Sequence, residues 1–582
     1  MKFSKLTAAI LAASMMAVSL ASCGNSNEAP SEENAPAENS QTESSAGAEN
    51  EQVLTLVNPD CKVLDVNDIT NYHEFIVLSH IQEGLFRVLN DENGNAVVTN
   101  AGCESYEVSE DGTTYTFKIR PQKWSDGQPV TAQNYVDSIL RLLDHEKGFS
   151  YAFMAYDILN AEDYYDGKAN KEDVGVKAID DSTLEIKLQA NIPFFIKKLT
   201  NVCFFPVRLD VIEAAGDQST YNSDFTKHVF NGPFVISDRV AGNELVLTKN
   251  ENYWDAENVK LQKVILREIT EDSTKSLLLE NKEIDLVNAD SEYVNKWKEL
   301  TEQGILNHVL VTDPAVNYIC FNQHTGGLSG LMNNNKIRLA LSLAINREEM
   351  NELIYSGIKT PAYSLIPFDM QVGDAEFRAM SEEPLKKIYD EYAGDPEKLQ
   401  TLFKEGLKEV NGSEDLSNVT LEIIYPNSKV QNQAMLEYFK QSWEEKLGIT
   451  IKVNIYSDVS LFINDRNANK YDILYQGWGG DYDDPMTFFE LFNSDSGYGA
   501  FMGGYSNEEY DAVFEALSTE PDNAKRAESY VKLENNLVLE NAGVAPLTFD
   551  NSQYFVHNYV KNLTFPSFGT DYEFSRAYIE GK

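Results

Sequence analysis

The sequence predicts an α/β protein built as two lobes. Two strand–helix–strand units carry this expectation. Val264 to Ile269 reads as a strand, Thr274 to Lys282 as a helix and Ile284 to Val287 as a strand. Val419 to Tyr425, Lys429 to Leu447 and Ile449 to Tyr456 repeat the pattern. The second helix sets Val430, Ala434, Tyr438, Phe439, Trp443 and Leu447 along one face. Each unit reads as a crossover, which calls for a parallel or mixed sheet. A third observation separates them: a long helix from Lys336 to Tyr355 stands between, so the units fall in different lobes.

The 582 residues suffice for about four domains at roughly 150 residues each, or fewer large ones. With 48 basic and 92 acidic side chains the formal charge is -44, which excludes nucleic acid as a partner because its phosphates would be repelled. Aromatic residues at 11% are enough to line a ligand cleft, although core packing is their commoner use.

At the N-terminus Lys2 and Lys5 precede an apolar run from Leu6 to Leu20, an export signal too short for a comfortable membrane span. The following Leu20-Ala21-Ser22-Cys23-Gly24 resembles a bacterial lipobox. That resemblance implies cleavage after residue 22 and lipidation of Cys23; the alternative is an ordinary signal with an incidental cysteine. Residues 23–52 form an acidic tether: from Asn25 to Gln52 there is no Lys, no Arg and no apolar periodicity, so the segment cannot bury enough surface to order itself. Cys61, Cys103, Cys203 and Cys320 are scattered, either buried thiols or pairs formed after export.

The folded chain begins with a strand at Val53 to Val57. Thr114 to Arg120 and Ser182 to Leu188 alternate as half-buried strands. Asp126-Gly127 is a turn pair, and Thr131 is placed to cap a helix from Asn134 to Asp144. A late helix, Asp522 to Glu540, leads into a strand at Val544 to Phe549. Enzyme signatures are absent: no HExxH, G-x-S-x-G or Walker A loop, and none of the seven histidines stands in a metal spacing. Asp65, Asn67 and Asp68 form a fragment of a calcium loop, without the glycine and terminal glutamate that would complete it. No catalytic residue, metal or cofactor is expected.

Across the chain, EGLF (83–86), SEDGTTYTFKIR (109–120), KWSDGQPVTAQNYVDS (123–138), NGPFVISD (231–238), LTKNENYWD (247–255), NKEIDLV (281–287) and IRLALSLAINREEM (337–350) follow one another. In this order they resemble the extracytoplasmic solute-binding proteins of family 5, the oligopeptide- and dipeptide-binding components of ABC importers. The resemblance implies a periplasmic-binding-protein-like fold with mixed sheets and an additional β-rich domain. It assigns 53–82, 209–311 and 549–582 to the first lobe, 83–208 to the β-rich domain and 312–548 to the other lobe.

The candidate site is Tyr471 to Phe489, YDILYQGWGGDYDDPMTFF. A strand breaks at Gly477-Trp478-Gly479-Gly480, where glycines permit a sharp turn and close approach of another chain. It delivers an indole, bare backbone and a carboxylate to one place. We read this as the receptor for the amino end of a peptide; an acidic surface turn behind a core strand is the alternative. An enclosed ammonium must be paired, and a fixed carboxylate supplies the charge-assisted bond. The family resemblance gives that role to Asp481, with Trp478 as a pocket wall and Gly477 and Gly479 offering backbone to an extended ligand. It further points to Tyr151, meeting the ligand's amino end from the other side, and to Arg466 for a ligand carboxylate. Two departures stand out. Asp483-Asp484 replaces an Asn-Glu pair, and Leu64-Asp65-Val66 is not followed by an acid near Thr70. The expectation is therefore a monomeric, lipid-anchored receptor on the extracytoplasmic face of the membrane, handing peptides to ABC permease subunits. Its competitors are the same fold holding a sugar, metal chelate or signalling peptide, and a surface hydrolase or adhesion protein.

Overall fold

The computed structural model describes residues 51–582 apart from 70, 92, 93, 95, 289–292, 427–429, 497, 500, 501 and 518. The export signal, Cys23, nearly all of the tether and Thr70 lie outside the described residues. Strands β1 (Val53–Val57), β2 (Phe86–Asn90), β3 (Ala96–Asn100), β4 (Cys103–Val108), β5 (Thr114–Ile119), β6 (Val176–Asp180) and β7 (Thr183–Lys187) come first. Then follow β8 (Phe234–Val240), β9 (Glu244–Lys249), β10 (Lys263–Arg267), β11 (Leu286–Asn288) and β12 (Leu306–Phe321). The chain continues through β13 (Thr360–Pro361), β14 (Gln371–Val372), β15 (Ala375–Glu376), β16 (Thr420–Tyr425), β17 (Thr450–Ile455), β18 (Ile473–Gly479) and β19 (Val544–His557).

Three larger sheets organise the molecule. One has the order β1-β10-β9-β8, a second β4-β5-β7-β6, and the third is seven-stranded, β11-β19-β12-β18-β16-β17 with β13 on β19. This is a mixed α/β fold, as the sequence predicts. The strands β12 and β19 are long, with 16 and 14 residues, and their register slips between Thr312 and Val316.

The second strand–helix–strand unit is a true crossover: β16 runs parallel to β17, with the helix Val430–Leu447 between them. Its buried face differs from the predicted one by about a residue. Met435, Leu436, Phe439, Trp443 and Leu447 are buried, whereas Ala434 is exposed and Tyr438 half-buried. Trp443 fixes that rotation, its Nε1 donating to the Leu341 carbonyl at 2.9 Å.

The first unit is not a crossover within one sheet, which corrects the sequence expectation. β10 belongs to the four-stranded sheet with β1, while β11 pairs antiparallel with β19 in the seven-stranded sheet. The intervening helix, Asp272–Glu280, joins two sheets. A small separate core of Leu279, Ile284, Val287, Trp297, Leu306 and Phe555 draws β11 to β19. Buried Asp285 ties the junction, accepting from Thr55 N at 2.7 Å and the Tyr559 hydroxyl at 2.6 Å.

The helix expected from Lys336 to Tyr355 is two, Asn335–Ala344 and Arg347–Tyr355. Asn346 caps the second, accepting from Glu349 N at 3.1 Å. Fully buried Arg347 donates to the Ser342 and Ile345 carbonyls, so the guanidinium takes the bonds that a continuous helix would have made. Asp65 and Asn67 are likewise structural, both accepting from Arg141. Cys61, Cys103, Cys203 and Cys320 are free and buried.

Candidate ligand-binding site

β18 begins in the core, with Ile473 and Leu474 fully buried, and ends at exposed Gly477 and Gly479. On one side it pairs with β12 throughout, from Phe321↔Ile473 to Ala315↔Gly479. On the other, β16 reaches only Ile473 and Leu474. Gly477, Trp478 and Gly479 therefore lie beyond the last residue that β16 pairs. A Cβ at Gly477 would stand 2.8 Å from Asn317 Oδ1, so the Asn317 side chain on β12 would have to shift to admit one. Gly479 is different: its nearest neighbour would be Ala315 Cβ at 4.0 Å, which leaves bare backbone. Gly480 turns the chain, donating to the Pro314 carbonyl at 2.7 Å, and Asp481 N is held by Thr487 Oγ1 at 3.0 Å.

That turn brings the Asp481 carboxylate to the neighbourhood of the Tyr151 hydroxyl, which acts to lower the acid's pKa. One carboxylate oxygen, Oδ2, is sealed from water and has no hydrogen-bond partner. Burial pushes the carboxyl up to about 7, against the opposing pull of Lys198 and of the Tyr151 hydroxyl. Burial also raises the Tyr151 hydroxyl. A run of rings encloses the acid. Phe75 meets Tyr151 at 6.1 Å, Tyr151 meets Phe153 at 5.9 Å, Phe153 meets Tyr498 at 5.5 Å and Tyr498 meets Trp478 at 5.2 Å.

Beneath the rings lies Lys198, buried, paired with Asp157 at 2.5 Å and poised 5.3 Å from the Tyr482 ring centroid. Tyr482 stacks on Phe194 at 5.3 Å and donates to Glu490 at 3.2 Å. Burial pushes Glu490 up to about 7 as well, with Lys198 opposing and Asp157 and Asp481 adding to the shift. Three carboxyl groups thus share one ammonium.

The three acids of DYDDP have separate tasks. Asp481 faces the rings. Asp483 accepts from Lys197 Nζ at 3.0 Å and from Gln371 N at 2.9 Å. Asp484 is buried, taking Arg526 Nη2 on both oxygens at 2.8 and 2.7 Å and the Tyr530 hydroxyl at 2.5 Å. Sequence reasoning missed Phe153, Tyr498, Lys197, Lys198 and Glu490. Phe153 sits two residues from Tyr151 in an aromatic run that hinted at it; the others carry no local signal.

The structure brings Asp481, Trp478 and Tyr151 together and leaves Arg466 apart. Arg466 lies on the helix Val459–Asn467, buried, with its guanidinium 5.8 Å from the Phe462 ring and bonded to Asn467 Oδ1. Burial lowers its pKa, opposed by the nearby Tyr471. At about 3.3 Å per strand residue, Tyr471 stands roughly 20 Å from Trp478. Among the described residues no three His, Cys, Asp or Glu side chains are grouped to hold a metal ion, and no helix is long and apolar enough to cross a membrane.

Known proteins share this architecture. The model of the bacterial extracellular solute-binding proteins, family 5 Middle, matches residues 98–500. A dipeptide-binding protein of Lactococcus lactis subsp. cremoris is 27% identical over 546 residues, covering 92% of this chain and 95% of its own. The peptide-bound OppA of Listeria monocytogenes superposes with a TM-score of 0.75 at 28% identity, covering 91% of this chain and 99% of that one. The murein tripeptide binding protein MppA of Escherichia coli superposes at 0.74 with 26% identity and the same coverage. The chain belongs to the bacterial extracellular solute-binding proteins of family 5.

Proposed function

We propose that this protein is the peptide-binding component of an ABC importer, held to the extracytoplasmic face of the membrane by a lipid on Cys23. The observation that carries the peptide reading is Asp481 Oδ2: a carboxylate oxygen without water or partner, walled by aromatic rings, beside bare strand backbone. A buried acceptor of this kind is costly unless a cation meets it. A ligand α-ammonium supplies the charge, and the Tyr151 hydroxyl lies near the same carboxylate. Gly477 to Gly479 then accept the ligand's main chain as an added strand, which gives affinity without reading side chains. The dipeptide, peptide and murein tripeptide ligands named for the relatives favour the same class. A ligand carboxylate would reach Arg466 only from a chain of about six extended residues, given roughly 20 Å of strand between them. The closed, monomeric form would then dock on the permease.

Calorimetry with alanine peptides of two to six residues tests this reading. Asp481→Ala is expected to cost about 3–5 kcal/mol, roughly two to four decades of affinity. N-acetylation of the peptide should weaken binding comparably. Equal affinities would take the role from Asp481, and a sugar or metal chelate recovered from the purified protein would replace the peptide reading. Incorporation of labelled palmitate by the wild type but not by Cys23→Ser checks the anchor.

A further inference from the structure

Trp478 carries a second unmet group on the same turn. Three of the five tryptophans place their indole N–H on an acceptor: Trp124 on Asn134 Oδ1 at 3.4 Å, Trp254 on Glu83 Oε1 at 2.5 Å and Trp443 on the Leu341 carbonyl at 2.9 Å. Trp297 has none and is closed into the small apolar core beside β11. Trp478 Nε1 is also sealed from water without an acceptor, yet its surroundings are those of a site. It lies three residues before Asp481, its ring set edge-on to Tyr498 at 5.2 Å, and the Asp481 charge bears on that same Tyr498. One buried donor and one buried acceptor are thus left open three residues apart on the same turn. Buried polar groups are rarely left so unless something else completes them.

We infer that Trp478 reads the carbonyl of the ligand's first residue: its Nε1–H donates to that oxygen while Asp481 Oδ2 receives the α-ammonium of the same residue. The inference rests on the peptide reading above and narrows it to ligands that begin with an unblocked α-aminoacyl group. The two ligand atoms are separated only by Cα and the carbonyl carbon, so a donor and an acceptor on one tight turn suit them. A diamine or quaternary ammonium offers no acceptor, an N-acyl peptide no cation, and a neutral sugar no cation either. This makes the indole a specificity-determining hydrogen-bond donor and not merely an apolar wall.

A double-mutant cycle tests it. The tightest alanine peptide is compared with its analogue carrying a thioamide at the first peptide bond, whose sulfur is a weak acceptor, on the wild type and on Trp478→Phe. Trp478→Phe should bind the normal peptide about ten-fold more weakly, equivalent to about 1.4 kcal/mol. The thioamide should cost the wild type a similar factor and cost Trp478→Phe nothing further. Thermal melting of the ligand-free variant, expected within a few degrees of the wild type, guards against a folding defect, and its retained sensitivity to N-acetylation shows an intact Asp481 subsite. Unchanged affinity in Trp478→Phe, or two losses that simply multiply, overturns the inference and leaves the peptide reading standing. Failure of every alanine peptide to bind, or indifference to N-acetylation, overturns both.

Discussion

Asp481 holds its proton below neutrality, because burial lifts its carboxyl to about 7 from an ordinary 3.8. An arriving ammonium needs the carboxylate. Peptide affinity should therefore rise between about pH 5.5 and 7.5, and binding at pH 6 should release a proton, read as a dependence of calorimetric enthalpy on the buffer's ionisation heat. Stability moves the opposite way. Between the unfolded value and about 7 the native state binds more protons at this residue, so its contribution falls as pH rises through that window. Ligand-free Asp481→Asn should melt above the wild type at pH 8 and close to it at pH 4, where both carry a neutral side chain. A lower melting temperature at pH 8 would show that Lys198 already neutralises the group. The carboxylate beside an indole was legible from GWGGD; Tyr151, about 330 positions away in sequence, was reached only through the family resemblance, because no local pattern links the two.

The turn from Gly480 to Glu490 shows what an element does with a run of like residues. Asp481, Asp483 and Asp484 are indistinguishable by composition, and the sequence assigns a role only to the first. Backbone geometry then sends each carboxylate a different way. Removing Asp484 strands the buried Arg526 guanidinium and leaves the Tyr530 hydroxyl without its acceptor. Asp484→Ala is expected to lose about 3–5 kcal/mol in denaturant unfolding. Asp483→Ala, at a partly exposed pair with Lys197, should lose only about 1 kcal/mol. The break between the helices Asn335–Ala344 and Arg347–Tyr355 is a similar case. Hydrophobic periodicity runs across it unbroken, whereas Asn346 followed by Glu348 and Glu349 is a start signal that outweighs periodicity once Arg347 is buried. Asn346→Ala should cost about 1 kcal/mol in the same measurement.

At the scale of the whole molecule, contacts across the crevice are concentrated in two stretches. Residues 151–198 present Tyr151, Phe153, Phe194 and Lys197; residues 481–498 present Asp481, Tyr482, Asp483 and Tyr498. Ligand entry by hinge opening requires these contacts to part. β12 and β19 are the long neighbouring strands of the seven-stranded sheet, and their register slips between Thr312 and Val316. Lys197→Met should then speed peptide dissociation several-fold in stopped-flow fluorescence while the melting temperature stays within a few degrees, since Asp483 keeps its bond from Gln371 N. A dissociation rate identical to the wild type would mean that the Lys197–Asp483 pair does not resist opening.

By itself the sequence determined the α/β class, the parallel β16–β17 crossover and the glycine-flanked indole followed by an acid. These are written in local periodicity and turn chemistry, which act over a few residues. Only the tertiary structure decided that β10 and β11 part into different sheets, that Arg466 stays away from Trp478, and that of three neighbouring aspartates one is left with an open oxygen. Sheet partners and buried charge pairs are chosen by groups distant along the chain, so no local pattern can encode which of them meet.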